Sequence, residues 1–253
     1  MAIIKTIVMN SLLLISILCS DAVVAGREAP INNEVSDKSN GDYSSNWSGA
    51  VLNAPPSGTT FTSVSAEFSV PTPGVADNEA GSSAAWVGID GNTYQNAILQ
   101  TGIDLSVNAD GSASFDAWYE WYPAYAYDFS DISINAGDNV SLSVVSTSPN
   151  SGIATIENLT NGQKASQILT APDSSSTLGG QNAEWIVEDY EVGSSLVTLD
   201  NFGIVTFTNA SAGLSNGTSV GIDSADVINM IQNESGQESE GTTPGDDRIK
   251  LGY

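Results

Sequence analysis

Between Trp47 and Phe207 the chain alternates apolar and polar residues in short runs, separated by clusters of Gly, Pro, Asn, Asp and Ser, with no sustained helical period. Val64, Ala66, Phe68 and Val70 alternate with Ser63, Ser65, Glu67 and Ser69, while Val140, Leu142 and Val144 alternate with serines. A period of two sends successive side chains to opposite faces of a strand. Such runs predict an all-β antiparallel sandwich with one wet face.

Four runs depart from a simple apolar-in, polar-out scheme. Ala85, Val87 and Ile89 oppose Trp86 and Asp90; Ala97, Leu99, Thr101, Ile103 and Leu105 oppose Gln100 and Asp104. Phe115, Ala117, Tyr119 and Trp121 oppose Asp116, Trp118, Glu120 and Tyr122; Ala183, Trp185 and Val187 oppose Glu184, Ile186 and Glu188. One face of each run suits the core between two sheets. The other mixes carboxylates, an amide and tryptophans, the lining of a shared groove rather than of an ordinary solvated face. Past Thr208 the alternation weakens. Ser211 to Thr218 reads as a small-residue loop, Ala225 to Gln232 as a strand or short helix, Glu234 to Asp247 as an acidic loop, and Arg248 to Tyr253 as an edge strand.

The start of the chain has a different character. Lys5 precedes an apolar run, Ser11 to Cys19, too short to span a bilayer, and Val23-Val24-Ala25 resembles a small-residue cleavage site. Residues 1–25 are therefore expected to be a secretory signal, 26–42 a short pro-segment or flexible arm, and 43–253 a single domain. Cys19 falls inside the signal, which leaves the mature chain without cysteine or disulfide. Sequons at Asn46, Asn139, Asn158, Asn209, Asn216 and Asn233 fit an exported glycoprotein.

Thirty Asp plus Glu against six Lys plus Arg give a formal charge of −24 at pH 7. That field repels phosphate, so nucleic acid and anionic membranes are not expected as partners. Self-repulsion fades near the sequence pI of about 4.1, and the chain is expected to work in acid, with carboxyl groups raised by like-charged neighbours. Histidine is absent altogether, which excludes Ser-His-Asp and Cys-His nucleophiles and the common His-bearing zinc sites. Hydrolytic chemistry then falls to carboxylates, amides and hydroxyls. Two versions suit a carboxylate groove with tryptophan walls. A carboxylate activates water against a peptide carbonyl while an amide stabilises the oxyanion, or two carboxylates act on a glycosidic bond with aromatics stacked on sugar.

Five segments resemble the glutamic peptidases, or eqolisins, in that family's order. They are Asn46-Trp47-Ser48-Gly49-Ala50-Val51, Trp86-Val87-Gly88-Ile89-Asp90-Gly91, Ile98-Leu99-Gln100-Thr101-Gly102, Asp116-Ala117-Trp118-Tyr119-Glu120-Trp121-Tyr122-Pro123 and Asn182-Ala183-Glu184-Trp185-Ile186-Val187-Glu188-Asp189. The resemblance covers about Tyr43 to Asn209. It implies a concanavalin/lectin-like sandwich of two large antiparallel sheets with an open cleft on one concave face, and a secreted, acid-active endopeptidase. The catalytic pair it implies falls on Gln100 and Glu184, with Trp86, Asp90, Asp104, Asp116, Trp118 and Glu120 as substrate-binding or supporting residues. It implies no metal and no cofactor; the expected partners are protein and peptide substrates, the membrane is not one after signal removal, and the chain is expected to be a monomer. A carbohydrate-active or lectin-like sandwich using the same groove is the alternative. Tyr94 stands where some relatives carry cysteine, and residues 26–42 hold two bases where longer basic pro-segments are usual.

Overall fold

The computed structural model describes residues 27–28, 42–232, 237–241 and 248–253. The expected signal and most of the 26–42 arm lie outside the described residues, although Arg27–Glu28 pairs antiparallel with Glu191–Val192. Among the described residues every regular element is a strand. The longer ones are β1 (Trp47–Leu52), β2 (Phe61–Ser69), β3 (Gly81–Ile89), β4 (Ile98–Val107), β5 (Ala113–Tyr122), β6 (Asn139–Ser148) and β7 (Ser151–Asn158). They continue with β8 (Gln163–Thr170), β9 (Ala183–Glu188), β10 (Ile204–Leu214), β11 (Asp226–Gln232), β12 (Gln237–Gly241) and β13 (Ile249–Gly252).

These strands form the two layers of a sandwich. One layer runs β11-β1-β9-β3-β4-β5 and the other β8-β7-β6-β2-β10, and β13 with β12 joins β10 to β11 along one flank. The alternation explains the layering: Ala50, Ala85, Val87, Leu99, Ile103, Ala117, Trp121, Trp185 and Val187 from the first layer meet Val64, Ala66, Phe68, Leu142, Val144, Ile156 and Phe207 from the second. Each fully buried aliphatic or aromatic side chain in this core contributes about 1.5–3 kcal/mol. Two contacts fix the stacking. Trp185 donates its indole N–H to the Ser65 carbonyl of the opposite layer at 3.0 Å, and Gly152 of β7 lies so close to Leu99 of β4 that a Cβ would stand 2.3 Å from a leucine methyl.

Of the stretch expected to be a loop, 211–214 is strand and 215–218 the turn. β10 runs through to Leu214, and only then does the chain turn. Asn209 adopts φ 52, and the register against β2 slips between Thr208 and Ser211. An extra residue shifts the inward phase: Val205 and Phe207 are buried before the bulge, Ala210, Ala212 and Leu214 after it. A single period fitted through the bulge breaks there. Gln237–Gly241 likewise forms a strand within the segment expected to be an acidic loop, and Ile249–Gly252 sits between β10 and β12 instead of at an edge. Among the predicted sequons, Asn46 and Asn158 are buried, and Asn233 lies outside the described residues.

Candidate active site

The outer face of the β11-to-β5 layer carries the second apolar cluster, with Trp47, Val51, Ala84, Trp86, Ile98, Trp118, Ile186, Tyr190 and Ile228. Antiparallel pairing arranges this face in rows. Glu184 of β9 pairs with Gly88 of β3, Gly88 with Gln100 of β4, and Gln100 with Glu120 of β5. These four positions form one line across four neighbouring strands. Because neighbouring strands lie about 4.8 Å apart, Glu184 and Gln100 flank Gly88 with backbones about 10 Å apart. Gly88 has no side chain to fill the space between them. Even a Cβ there would meet Trp86 Cζ3 at 2.9 Å and Gln100 Cβ at 3.4 Å.

The next row, about 7 Å along the strands, is Ile186, Trp86, Gly102 and Trp118. A Cβ at Gly102 would come within 2.6 Å of Trp86 Cβ and 2.7 Å of Trp118 Cζ2, so glycine is what lets the Trp118 indole lie over β4 beside Trp86. The third row is Trp47, Glu188, Ala84, Asp104 and Asp116. Trp86 packs edge-on against Trp47, centroids 5.1 Å apart, and donates its indole N–H to Glu188 at 2.8 Å.

Hydrogen bonds set the carboxylates in place. Glu184 Oε1 accepts the Asn92 backbone N–H at 2.9 Å, and Gln100 Nε2 donates to Glu120 Oε2 at 3.0 Å. Glu184 Oε2 and Gln100 Oε1 have no hydrogen-bond partner among the described residues. Gln100, Glu120, Glu184 and Glu188 are all fully buried within the chain. Burial pushes the Glu184 carboxyl well above the usual carboxylate range; the Asn92 N–H pulls against it, and the charges of Asp90 and Glu188 add to the rise. A carboxyl so raised is a stronger base when ionised and a ready acid when protonated.

Asp90 closes β3 in a left-handed conformation, φ 66, and its carboxyl faces the loop ahead of β9 instead of the row. It accepts backbone N–H groups from Gly179 at 2.7 Å, Gly180 at 2.9 Å, Gln181 at 2.6 Å and Asn182 at 3.3 Å. Burial raises its pKa against the pull of those four donors. Asn182 then accepts from the Thr93 and Tyr94 N–H groups, at 2.9 and 3.0 Å. The two turns that frame Glu184 are thereby tied together, with Asn92 held between them.

The predicted residues thus separate by position. Gln100, Glu184 and Glu120 share the first row, and Trp86 and Trp118 the second. Asp90 holds the loop that leads into Glu184. Asp104, half-buried, and Asp116, exposed, face each other in the third row, about 14 Å along the strands from the row of Gln100 and Glu184. They are out of reach of a group held between Gln100 and Glu184. Glu188 was not among the predicted site residues. Its place four residues after Glu184, on the same face of one strand, was the available signal. The Asn92 backbone N–H had no sequence signal at all, since main-chain groups leave none.

Residues 45–253 match the peptidase A4 family. The chain belongs to that family. The match reaches Tyr253, well past the Asn209 limit of the resembling motifs. The chain is 47% identical over 216 residues to aspergillopepsin-2 of Aspergillus niger, covering 78% of this chain and 73% of that protein. It is 45% identical over 196 residues to scytalidopepsin B of Scytalidium lignicola, covering 75% and 71%. The structure resembles scytalido-glutamic peptidase in complex with a transition-state analogue, TM-score 0.72 at 40% identity, covering 83% of this chain and 98% of that one. It also resembles aspergilloglutamic peptidase from Aspergillus niger, TM-score 0.63 at 48% identity, covering 68% and 99%. As a member the peptidase is a glutamic-type endopeptidase, and its substrates are proteins and peptides. The carbohydrate alternative is not favoured, since the family and the relatives are peptidases.

Proposed function

We propose that the peptidase is a secreted acid endopeptidase in which Glu184 is the general base and Gln100 the oxyanion donor. One observation carries the reading: both side chains stand on the same outer face of one sheet, in register, with only Gly88 between their strands. Glu184 Oε2 and Gln100 Oε1 are acceptors without a hydrogen-bond partner among the described residues, and a water held between them would give one O–H to each. The water oxygen attacks the scissile carbonyl as its proton passes to Glu184. The carbonyl oxygen becomes an oxyanion and takes an N–H from Gln100 Nε2, a donor that needs neither metal nor imidazole. Collapse breaks the C–N bond. Glu184 returns the proton to the leaving nitrogen and is again a carboxylate.

Because the row is fully buried, a substrate engages it only as the groups over that face move apart. Residues 1–25 serve as the export signal and 26–42 as a pro-segment in this reading, and the secreted domain acts as a monomer. Digestion of a denatured protein by wild type and Glu184→Gln, from about pH 2 to about pH 7, tests the assignment. Glu184→Gln should abolish cleavage at every pH, and Gln100→Ala should lower kcat about 10²-fold or more. Unimpaired cleavage by Glu184→Gln would overturn it.

A further inference from the structure

We propose that Glu120 is the positioning residue of the Gln100 amide, its carboxylate deciding which end of that amide faces the gap over Gly88. The inference rests on the reading that Gln100 is the oxyanion donor. Oxygen and nitrogen of a glutamine amide have almost the same size and shape, so packing alone does not tell them apart. Hydrogen bonding does. Gln100 and Glu120 are direct cross-strand partners on the cleft face of β4 and β5, both fully buried, with Nε2 to Oε2 at 3.0 Å. In its ionised form the Glu120 carboxyl only accepts. In the flipped amide, carbonyl oxygen would meet carboxylate oxygen in a site shut off from water, leaving two acceptors opposed at a cost of about 1–3 kcal/mol or more.

Nitrogen is therefore held on the β5 side. The amide is planar, so Oε1 is left to the Gly88 side, where Glu184 stands across the gap, and the second N–H of Nε2 remains for the oxyanion. The strands themselves are pinned beside this pair. Thr101 Oγ1 donates to the Trp118 carbonyl at 2.6 Å, one residue away along β4. A shift of register that would separate Gln100 from Glu120 must break that bond too. Glu120 thus acts through Gln100.

The test is a double-mutant cycle on a peptide substrate, reading kcat and KM for Glu120→Gln, Gln100→Ala and the pair together. Glutamine at 120 offers either end to Gln100, so the amide direction becomes ambiguous. The expected result is a fall in kcat of about 10-fold or more for Glu120→Gln with KM changed less than about 2-fold, and no further fall in the Gln100→Ala background. Multiplying effects in the double variant would overturn the proposal, as would a KM effect alone, which would put Glu120 on the substrate. An undiminished kcat for Gln100→Ala would instead defeat the oxyanion reading beneath it. If Glu120→Gln does not fold, Glu120→Asp gives a second measurement. The side-chain amide resonances of Gln100, assigned by their loss in Gln100→Ala, should move in Glu120→Asp; unmoved resonances would count against the proposal.

Discussion

Asp200 stores a pH limit in the fold. The residue is fully buried, and neither carboxyl oxygen has a hydrogen-bond partner among the described residues. Its neighbourhood offers Ser83 from β3, whose hydroxyl offsets the effect of burial only in part, and the phenol of Tyr253, whose own pKa is raised by burial and then by Asp77 and Asp200. Burial carries the Asp200 carboxyl from 3.8 to about 7. At about 1.4 kcal/mol per pH unit, that rise corresponds to an upper bound of about 4 kcal/mol. Folded pKa exceeds unfolded pKa, so the contribution is complete below pH 3.8 and is lost as pH rises to about 7. Against a typical total of about 5–15 kcal/mol, this is a large part of the margin. Asp200→Asn keeps the shape and removes the charge. Urea unfolding at about pH 3.5 and about pH 7.5 should show near-equal stability in acid and a variant more stable by up to about 4 kcal/mol near neutrality. Other carboxyls titrate in both proteins and cancel. A difference between the two proteins that is the same at both pH values would refute the reasoning.

Three further outcomes follow from the same structure. Asp90→Asn replaces one of two accepting oxygens by an NH2 group, so two of the four backbone N–H groups of 179–182 face a donor; a loss of about 4 kcal/mol is expected by chemical denaturation, and a loss under about 1 would contradict the clamp. Gly88→Ala puts a methyl between the strands of Glu184 and Gln100, 2.9 Å from Trp86 and 3.4 Å from Gln100, and should cost about 1–3 kcal/mol of stability while lowering kcat about 10²-fold. Comparing melting temperature with turnover separates the two effects, and normal turnover would mean the reacting group lies elsewhere. A chain that begins at Tyr43 should fold and digest protein, measured by far-UV circular dichroism and a casein assay; failure to fold would move the domain boundary toward the N-terminus.

Faces were legible in the sequence where rows were not. The alternation in 84–90, 97–105, 114–122 and 183–188 assigns each residue to core or cleft by parity, and those runs became β3, β4, β5 and β9, adjacent in one layer. Parity says nothing about which residues stand side by side. The pairing of Glu184, Gly88, Gln100 and Glu120 in one row, with Asp104 and Asp116 two rows away, depends on register, which is a property of paired strands. Asp90 misled for a local reason, since its left-handed φ at the strand end turns the carboxyl to a loop that no pattern places nearby. The continuation of β10 was hidden by the bulge at Asn209, which puts Val205 and Phe207 out of phase with Ala210 and Ala212.

The flank closed by β12 and β13 bears on how such a molecule survives its own kind. Among the described residues fourteen strands joined along one hydrogen-bonded path, with two more paired beside it, leave little backbone free on that side. The opposite margin ends in β8, mostly exposed, with Ile168 uncovered. Extended chain with unpaired amides is the form in which peptides settle against sheets and into clefts. Autolysis in a stored preparation therefore has one side from which to begin, and hardening that border is the direct route to a longer shelf life.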